Sequence, residues 1–479
     1  MTIPKTVVLL RADGDNKIGL GHIHRLLALS EILKINFDCR FVIRSPLPGI
    51  RELIRKNCDQ ILELNSGPEQ SEEIAQMVMG NEIVVLDGYG FDTDYQRVIK
   101  QRGGALVCID DIHQHHFVAD VIINPAGGVN EALYSKENTT KLFTGPQFSL
   151  LKRPFLEAAK RKATRADNSS IFICMGGADP DNHTREVLHR CLDFPFSIYN
   201  VVVGEAYIHR GELEKDILRL GKNVRILSNL KPEALADTMR QCEVAVCSAS
   251  GIAYEYLCVG GELYIKQTAS NQTHLFNYLL TDGLAFSFEY FRAEANAVPQ
   301  VFQRQKEIFD GNSDTRILNI FNRLDFDQHV DIRKITATDV HITFQWANDP
   351  ELRSQSFNSD PILFENHQAW LNRKINDSSA FLYIFEYKNL PFGQVRFDVG
   401  KDATISYSMD KDFRGRGWGQ SMLKNAIERF QQEPGSEIKI VGYVKRENMS
   451  SNTIFEKLGF AKHSTEEYPN SYKYEWIKL

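Results

Sequence analysis

The sequence lacks the marks of several protein classes. Its eight cysteines, at 39, 58, 108, 174, 191, 242, 247 and 258, contain no CxxC pair, lie mostly in apolar runs and stop at 258. That excludes a paired-cysteine metal or redox motif and suits free thiols in a reducing compartment. No apolar stretch approaches the length of a membrane span, and the short N-terminal run meets Arg11 and Asp13 at once, which argues against a spanning helix or signal sequence. There is little excess charge: 56 basic against 62 acidic residues leave a net charge of −6. Such a chain has no general attraction for nucleic acid or anionic lipid, so any anionic ligand must be held by local groups. Short repeats and low-complexity tracts are also missing. A cytoplasmic protein without nucleic-acid or membrane partners is expected, and no metal.

What is present is a long chain of alternating signals. At 479 residues it exceeds the size at which one core stops growing, so two or three domains are expected. Strand-like runs TVVLL, CRFVIRS, EIVVLDG, ALVCIDD and VIINPAG alternate with helical patterns, as in a helix-covered parallel sheet. A charged, small-residue stretch, 156-EAAKRKATRADNSS-169, reads as a connection, after which the alternation resumes from 170-SIFICMGG-177 to 262-ELYIKQ-267. After about Asp325, the closely spaced runs FLYIFEY, PFGQVRFDV and ATISYSM read as antiparallel strands of a separate domain. The domains are placed at 1–155, 156–328 and 329–479. The first two are α/β lobes that bind ligands at the carboxyl ends of their strands.

The turn 17-KIGLGHIHR-25 joins the first strand to the first helix. It fits only half of the dinucleotide fingerprint, because His24 stands where the third glycine belongs, and the next strand ends in Arg44-Ser45 with no carboxylate for a ribose. His22 is instead a candidate base able to take a proton from water. Asp13, 86-LDGYG-90 and 109-IDDIH-113 put acidic or hydroxyl groups at the ends of neighbouring strands. In the second lobe, 173-ICMGGADPDNHT-184 and 248-SASGIAYEYL-257 each run from a strand through small residues into a helix. Backbone N–H groups of such turns reach phosphate oxygens, and Glu255, a turn further on, is placed to accept from ribose hydroxyls.

Through 11-RADGDNKIGLGHIHR-25, 86-LDGYGFD-92, 109-IDDIHQHHFVADVIINP-125, 145-GPQFSLLK-152, 175-MGGADPDN-182, 248-SASGIAYEYLCVGG-261 and 271-NQ-272, the first 325 residues resemble the nucleotide-sugar hydrolases of pseudaminic acid biosynthesis. These are relatives of MurG-type GT-B glycosyltransferases. The resemblance implies two Rossmann-like lobes in a GT-B arrangement and hydrolytic removal of UDP from 2,4-diacetamido-2,4,6-trideoxy-β-L-altropyranose. It makes His22 the catalytic base and matches Tyr89 to a cleft tyrosine; with Asp13 at the preceding strand end, His22, Asp13 and Tyr89 are the expected catalytic residues. UDP-sugar contacts fall to Gly21, Arg25, Gly176, Gly177, Ser250, Gly251, Glu255, Asn271 and Gln272, with Lys17 or Arg25 near the leaving group. A glycosyltransferase, a hydrolysing 2-epimerase and a non-catalytic sugar-nucleotide binder stay open beside it.

In 405-ISYSMDKDFRGRGWGQSMLKNAIERF-430, glycines between a strand and an amphipathic helix expose backbone N–H groups suited to a pyrophosphate. With 440-IVGYVKRENMSSNTIFEKLGF-460, residues 331–479 resemble the GNAT acetyl-CoA N-acetyltransferases, an α+β fold. The resemblance assigns acetyl-CoA as cosubstrate, held by Met409, Arg414, Gly415, Arg416, Gly417, Trp418, Gly419 and Asn448, and a splayed strand pair that admits the pantetheine. In 346-WANDPELRSQSFNSDPILFENHQAWL-371, His367 and Trp370 match the sugar-amine branch of that family. Phe455 stands where many members carry a proton-donating tyrosine, leaving Tyr443, Tyr407 or ordered water as sources. A fusion of consecutive pathway enzymes is therefore expected, coupled to the downstream nonulosonic acid synthase.

Overall fold

Unbroken apolar runs fold as strands buried on both faces, which is how parallel sheets covered by helices are built. Every residue of Ile83–Asp87, Ala105–Ile109 and Val121–Asn124 is buried. The computed structural model describes residues 4–14, 20–65, 70–161, 169–242, 244–291, 298–434, 436 and 438–476. The chain clusters into two compact units, Lys5–Leu318 and Asn319–Leu479, the latter including Pro4. The expected boundary at 328 falls near the end of one continuous helix, Ser313–His329.

The N-terminal unit contains two parallel sheets. The first is seven-stranded, in the order Gln60–Leu64, Phe37–Arg44, Thr6–Arg11, Ile83–Asp87, Ala105–Ile109, Val121–Asn124, Lys141–Thr144. The second is six-stranded, in the order Val224–Ser228, Ile198–Val203, Ser170–Cys174, Val244–Ser248, Glu262–Lys266, Phe286–Ser287. These are the two Rossmann-like lobes, and the order of each reverses beside its first strand. Open α/β sheets bind ligands outside the strand ends at that reversal. In the first sheet it lies between Thr6–Arg11 and Ile83–Asp87, and in the second between Ser170–Cys174 and Val244–Ser248. The expected connection 156–169 begins inside the helix Arg153–Lys160, and residues 162–168 lie outside the described residues.

The lobes meet through aromatic side chains. Tyr254, on the helix Gly251–Val259, accepts a hydrogen bond from the Gly127 backbone N–H at 3.1 Å. A Cβ on Gly127 would fall 2.0 Å from the Tyr278 ring, so the Gly127 turn has no room for any side chain there.

The C-terminal unit is a mixed sheet in the order Val330–Lys334, Ala380–Tyr387, Leu390–Val399, Ala403–Met409, Ile440–Lys445, Ser471–Trp476, Ala461–Ser464. All its pairs are antiparallel except that between Ala403–Met409 and Ile440–Lys445. That parallel ladder is registered only at Ala403↔Ile440 and Thr404↔Val441, after which the strands splay. Packed against the sheet, Trp418 lies buried among Phe326, Tyr387, Phe392 and Phe413. Among the described residues no helix is long and apolar enough to cross a membrane.

Candidate functional site

The helix Gly21–Leu33 starts directly at the reversal point of the first sheet and carries His22 in its first turn. His22 is buried, and its Nδ1 lies 2.6 Å from Oδ1 of Asp87, the fully buried last residue of Ile83–Asp87. Arg25, one turn along the helix, donates to the same carboxylate from Nε at 2.9 Å and Nη2 at 2.5 Å, and to Asp111 from Nη1 at 3.0 Å. Burial alone would lower the Arg25 guanidinium, but Asp87 and then Asp111 raise it well above its usual value. Nη2 of Arg25 also lies 2.8 Å from His22 Nδ1. A carboxylate is the stronger acceptor, so the favoured tautomer donates from Nδ1 to Asp87 and leaves the Nε2 lone pair free to take a proton. The Tyr89 ring stands edge-on to the imidazole, with centroids 4.9 Å apart, and is itself 54% exposed.

Asp13 is not part of this group. Its carboxylate takes two hydrogen bonds from the buried Arg11, at 2.5 and 2.7 Å, and one from the Arg44 backbone at 3.0 Å. Burial would raise its pKa, but the bonds from Arg11 outweigh that and hold it below the usual range. Asp87, unnamed in the sequence reading although its stretch was singled out, occupies the place assigned to Asp13. The signal was an acid closing an otherwise apolar strand, since burying a charge needs a partner. Gly21 has an ordinary backbone angle, and a Cβ there would meet nothing within 4 Å. Its contribution is open space rather than a sharp bend. Lys17 and Gly19 lie outside the described residues.

In the second sheet, Gly176 follows Ser170–Cys174 with a left-handed φ of +105°, which favours glycine. A Cβ on it would sit 3.8 Å from Ser248 Oγ, which in turn is 2.9 Å from Ser250 Oγ, the N-cap of Gly251–Val259. Both expected turns thus converge at this reversal point. Cβ atoms at Gly177 or Gly251 would meet nothing within 4 Å, so space is open beside a helix end whose first N–H groups have no helical partner. Gly204, which the sequence reading did not nominate, closes the back of the loop: a Cβ there would fall 2.3 Å from the Gly177 carbonyl oxygen.

Glu255 lies one turn into the helix, its carboxyl raised to about 7 by burial, against the lowering charge of Lys152. The His24 imidazole is lowered, first by burial and then by the same lysine. Lys152 thus acts on a side chain of the helix Gly21–Leu33 in the first lobe and on one of Gly251–Val259 in the second and, like Gly204, had gone unnamed. Asn271 is exposed, whereas Gln272 turns its Oε1 to the Thr268 backbone N–H at 2.8 Å.

The C-terminal unit encloses a cavity of about 1100 Å³ at the strand splay. Alternation along Ala403–Met409 places Ser406 and Ser408 on one face with Gln394 and Arg396, and Ile405, Tyr407 and Met409 on the other. Gly415 and Gly417 have left-handed φ angles of +79° and +74°, with open space at Gly415 and Gly417 as N-cap of Trp418–Phe430. This cradle fits a pyrophosphate by backbone donors. Side chains expected there have other duties. Arg414 is tied to Glu351 at 2.6 Å, to Asp349 at 2.9 Å and to the Met409 carbonyl at 3.1 Å. The Trp418 ring belongs to the core, its indole N–H donating to the Asn322 carbonyl at 2.9 Å. Arg416 lies over the Trp418 ring at 5.2 Å. Gly419 packs closely, with Ile454 Cδ1 2.8 Å from where a Cβ would be. Asn448 caps Met449–Lys457 by accepting from the Ser451 N–H at 3.1 Å. His367 is buried, its Nε2 3.0 Å from Thr343 Oγ1, and packs beside Trp370.

Residues 329–461 match the family described as Acetyltransferase (GNAT) domain. The C-terminal unit therefore carries a GNAT acetyltransferase domain, whose cosubstrate is acetyl-CoA. Among individual proteins, the chain is 23% identical over 482 residues to an uncharacterized protein of Methanocaldococcus jannaschii, covering 95% of this chain and 96% of that one. It is 25% identical over 291 residues to UDP-2,4-diacetamido-2,4,6-trideoxy-beta-L-altropyranose hydrolase of Campylobacter jejuni, covering 59% of this chain and 99% of that one. Spore coat polysaccharide biosynthesis protein SpsG of Bacillus subtilis is 22% identical over 272 residues, covering 55% of this chain and 77% of its own length. A solved spermidine N-acetyltransferase of Vibrio cholerae, in complex with CoA and spermine, has a TM-score of 0.28 and 16% identity, covering 31% of this chain and 95% of that one. The chain is thus similar in its N-terminal part to a nucleotide-sugar hydrolase and to a polysaccharide biosynthesis protein, and carries an acetyltransferase domain besides.

Proposed function

We propose that the protein is a bifunctional nucleotide-sugar enzyme of pseudaminic acid biosynthesis. The C-terminal domain acetylates the 4-amino group of a UDP-4-amino-4,6-dideoxy sugar. The N-terminal unit, as a GT-B arrangement, hydrolyses the resulting UDP-2,4-diacetamido-2,4,6-trideoxy-β-L-altropyranose to free sugar and UDP. The observation that carries the hydrolase reading is the buried Asp87 carboxylate shared by His22 and Arg25 at a sheet reversal. Asp87 orients the imidazole and stabilises the imidazolium formed when Nε2 takes a proton from water attacking C1. UDP leaves onto the Gly176–Gly177 turn and the Gly251 helix end, whose fixed N–H dipoles offset the developing diphosphate charge. Glu255 receives the ribose hydroxyls. In the acetyltransferase domain the Gly415–Gly417 turn binds the cosubstrate's pyrophosphate, and the splayed strand edge orients its extended arm.

The test is incubation of purified protein with a UDP-4-amino sugar and acetyl-CoA, followed by mass spectrometry and by NMR of the released sugar. N-acetylated free sugar plus UDP, formed without an acceptor, is the expected product set. A requirement for a sugar acceptor would assign a glycosyltransferase, inversion at C2 a hydrolysing epimerase, and UDP binding without turnover a non-catalytic binder.

A further inference from the structure

The acetyltransferase domain has a phenylalanine where a proton donor for the departing thiolate is expected, and its cavity offers few replacements. The Phe455 ring is buried against Tyr474, with centroids 5.1 Å apart, and against Phe460 at 4.9 Å. Tyr443 lines the cavity, but its hydroxyl donates to Glu467 Oε2 at 2.5 Å. Burial and that carboxylate both raise its pKa, but the proton is committed to Glu467 rather than to a group in the cavity. Tyr474, stacked on Phe455, donates to Asn452 Oδ1 at 2.9 Å.

Tyr407 differs from these. It lies three residues beyond Thr404, the last position at which its strand pairs with Ile440–Lys445, and therefore beside the opening between the two strands. It lines the cavity, and its hydroxyl lies 2.8 Å from Ser451 Oγ. Ser451 precedes Phe455 by four residues on the helix Met449–Lys457, so both project from one helix face. The phenol reaching in from the strand thus stands one helical turn from the position the phenylalanine leaves without a donor.

We infer that Tyr407, hydrogen-bonded to Ser451, is the catalytic acid of acetyl transfer. This rests on the acetyltransferase reading of the domain. As the acceptor amine nitrogen bonds to the acetyl carbon, the carbon–sulfur bond breaks and its electron pair stays on sulfur. Tyr407 gives sulfur its hydroxyl proton and recovers one through Ser451 from water in the cavity. The surplus proton on the amine nitrogen leaves to water. Burial raises the Tyr407 pKa while the bond to Ser451 lowers it, so the phenol is protonated at neutral pH, as an acid must be.

The test uses the full chain with Tyr407→Phe, which removes one oxygen and keeps the ring. Calorimetric binding of coenzyme A and of desulfo-coenzyme A reads the contact with sulfur without turnover. The wild type is expected to prefer coenzyme A by about fivefold, the value of one hydrogen bond. Tyr407→Phe should bring that ratio to about one with desulfo-coenzyme A affinity unchanged, an effect that loss of packing would not give. Acetyl transfer, read as thiol release, should fall about 10²- to 10⁴-fold in kcat, with KM for acetyl-CoA unchanged, and Ser451→Ala should give a smaller loss. An unaltered affinity ratio in Tyr407→Phe overturns the assignment, as does a larger kcat loss in Tyr443→Phe. If no amino sugar is acetylated, the proposed substrate fails, while the affinity ratio still tests Tyr407.

Discussion

A carboxylate with no exposure, between an imidazole and a guanidinium, makes Asp87 the most constrained acid of the candidate hydrolase site. Replacing it by asparagine keeps its shape but turns an amide donor toward donors. We expect Asp87→Asn to lose at least about 10² in UDP-releasing rate, measured against wild type in a coupled UDP assay. Glu255 gives a pH prediction. Its folded pKa of about 7 lies above the ordinary glutamate value of 4.5, so between those values the folded chain holds a proton that the unfolded chain has lost. Stability from this group is full below about pH 4.5 and is lost as pH rises to about 7. Without nucleotide, Glu255→Gln should melt higher than wild type above pH 7, by a difference on the order of 2 kcal/mol that closes toward pH 4.5. An equal melting difference at pH 4.5 and pH 8 would dismiss the half-buried, protonated glutamate. Asp13 shows where residue-level reading stops. Sequence places two acids at strand ends, and only the fold shows that Arg11 claims one and His22 the other.

At the scale of elements, the turns were legible because small residues between an apolar run and a helical pattern leave few alternatives. Gly176-Gly177 and Ser250-Gly251 stand at the reversal point of one sheet, as the strand–turn–helix pattern implies. The edge strands Gln60–Leu64 and Lys141–Thr144 were not legible. They are short and largely exposed or half-buried, so they carry no apolar run. Nor was Gly204, because its reason is a loop more than twenty residues earlier in the chain. Gly204→Ala would push a methyl into the Gly177 carbonyl, backbone against backbone, where neither side can rotate away. The expected result is a destabilisation of about 1–3 kcal/mol with weakened UDP binding, read by thermal melting and calorimetry. The glycine turn at Gly415 and Gly417 before a helix was legible too, but the duty of Trp418 was not. A tryptophan at a helix start gives no sign in sequence of the aromatic cluster that receives it.

For the whole molecule, each candidate site draws its described residues from one compact unit. His22, Asp87, Gly176 and Ser250 belong to Lys5–Leu318, and the cavity residues to Asn319–Leu479. Sites without shared partners respond independently to substitution. His22→Ala is therefore expected to cut UDP release by about 10²- to 10⁴-fold and leave acetyl transfer at the wild-type rate, which also serves as a folding control. Loss of both activities in that variant would contradict the division. The change in strand spacing after Asp325 lies close to the division between the two compact units, which falls at Leu318–Asn319. The switch from parallel crossovers to closely spaced antiparallel strands is a change in chain economy that composition carries.

The splayed pair in the C-terminal sheet gives that sheet an unfinished seam. Beyond Thr404 and Val441 the two strands no longer share a ladder, and amides that face the seam depend on solvent or a guest for partners. An extended guest lying there completes the sheet as another strand would. Within 405–409, every second amide is bonded to Leu390–Val399 and the others face the seam; deuterium uptake at the seam-facing amides should therefore be rapid in the free protein and slow when coenzyme A is added. This footprint identifies the seam from the backbone alone, before any acceptor is known, and unchanged uptake on saturation would place the guest elsewhere.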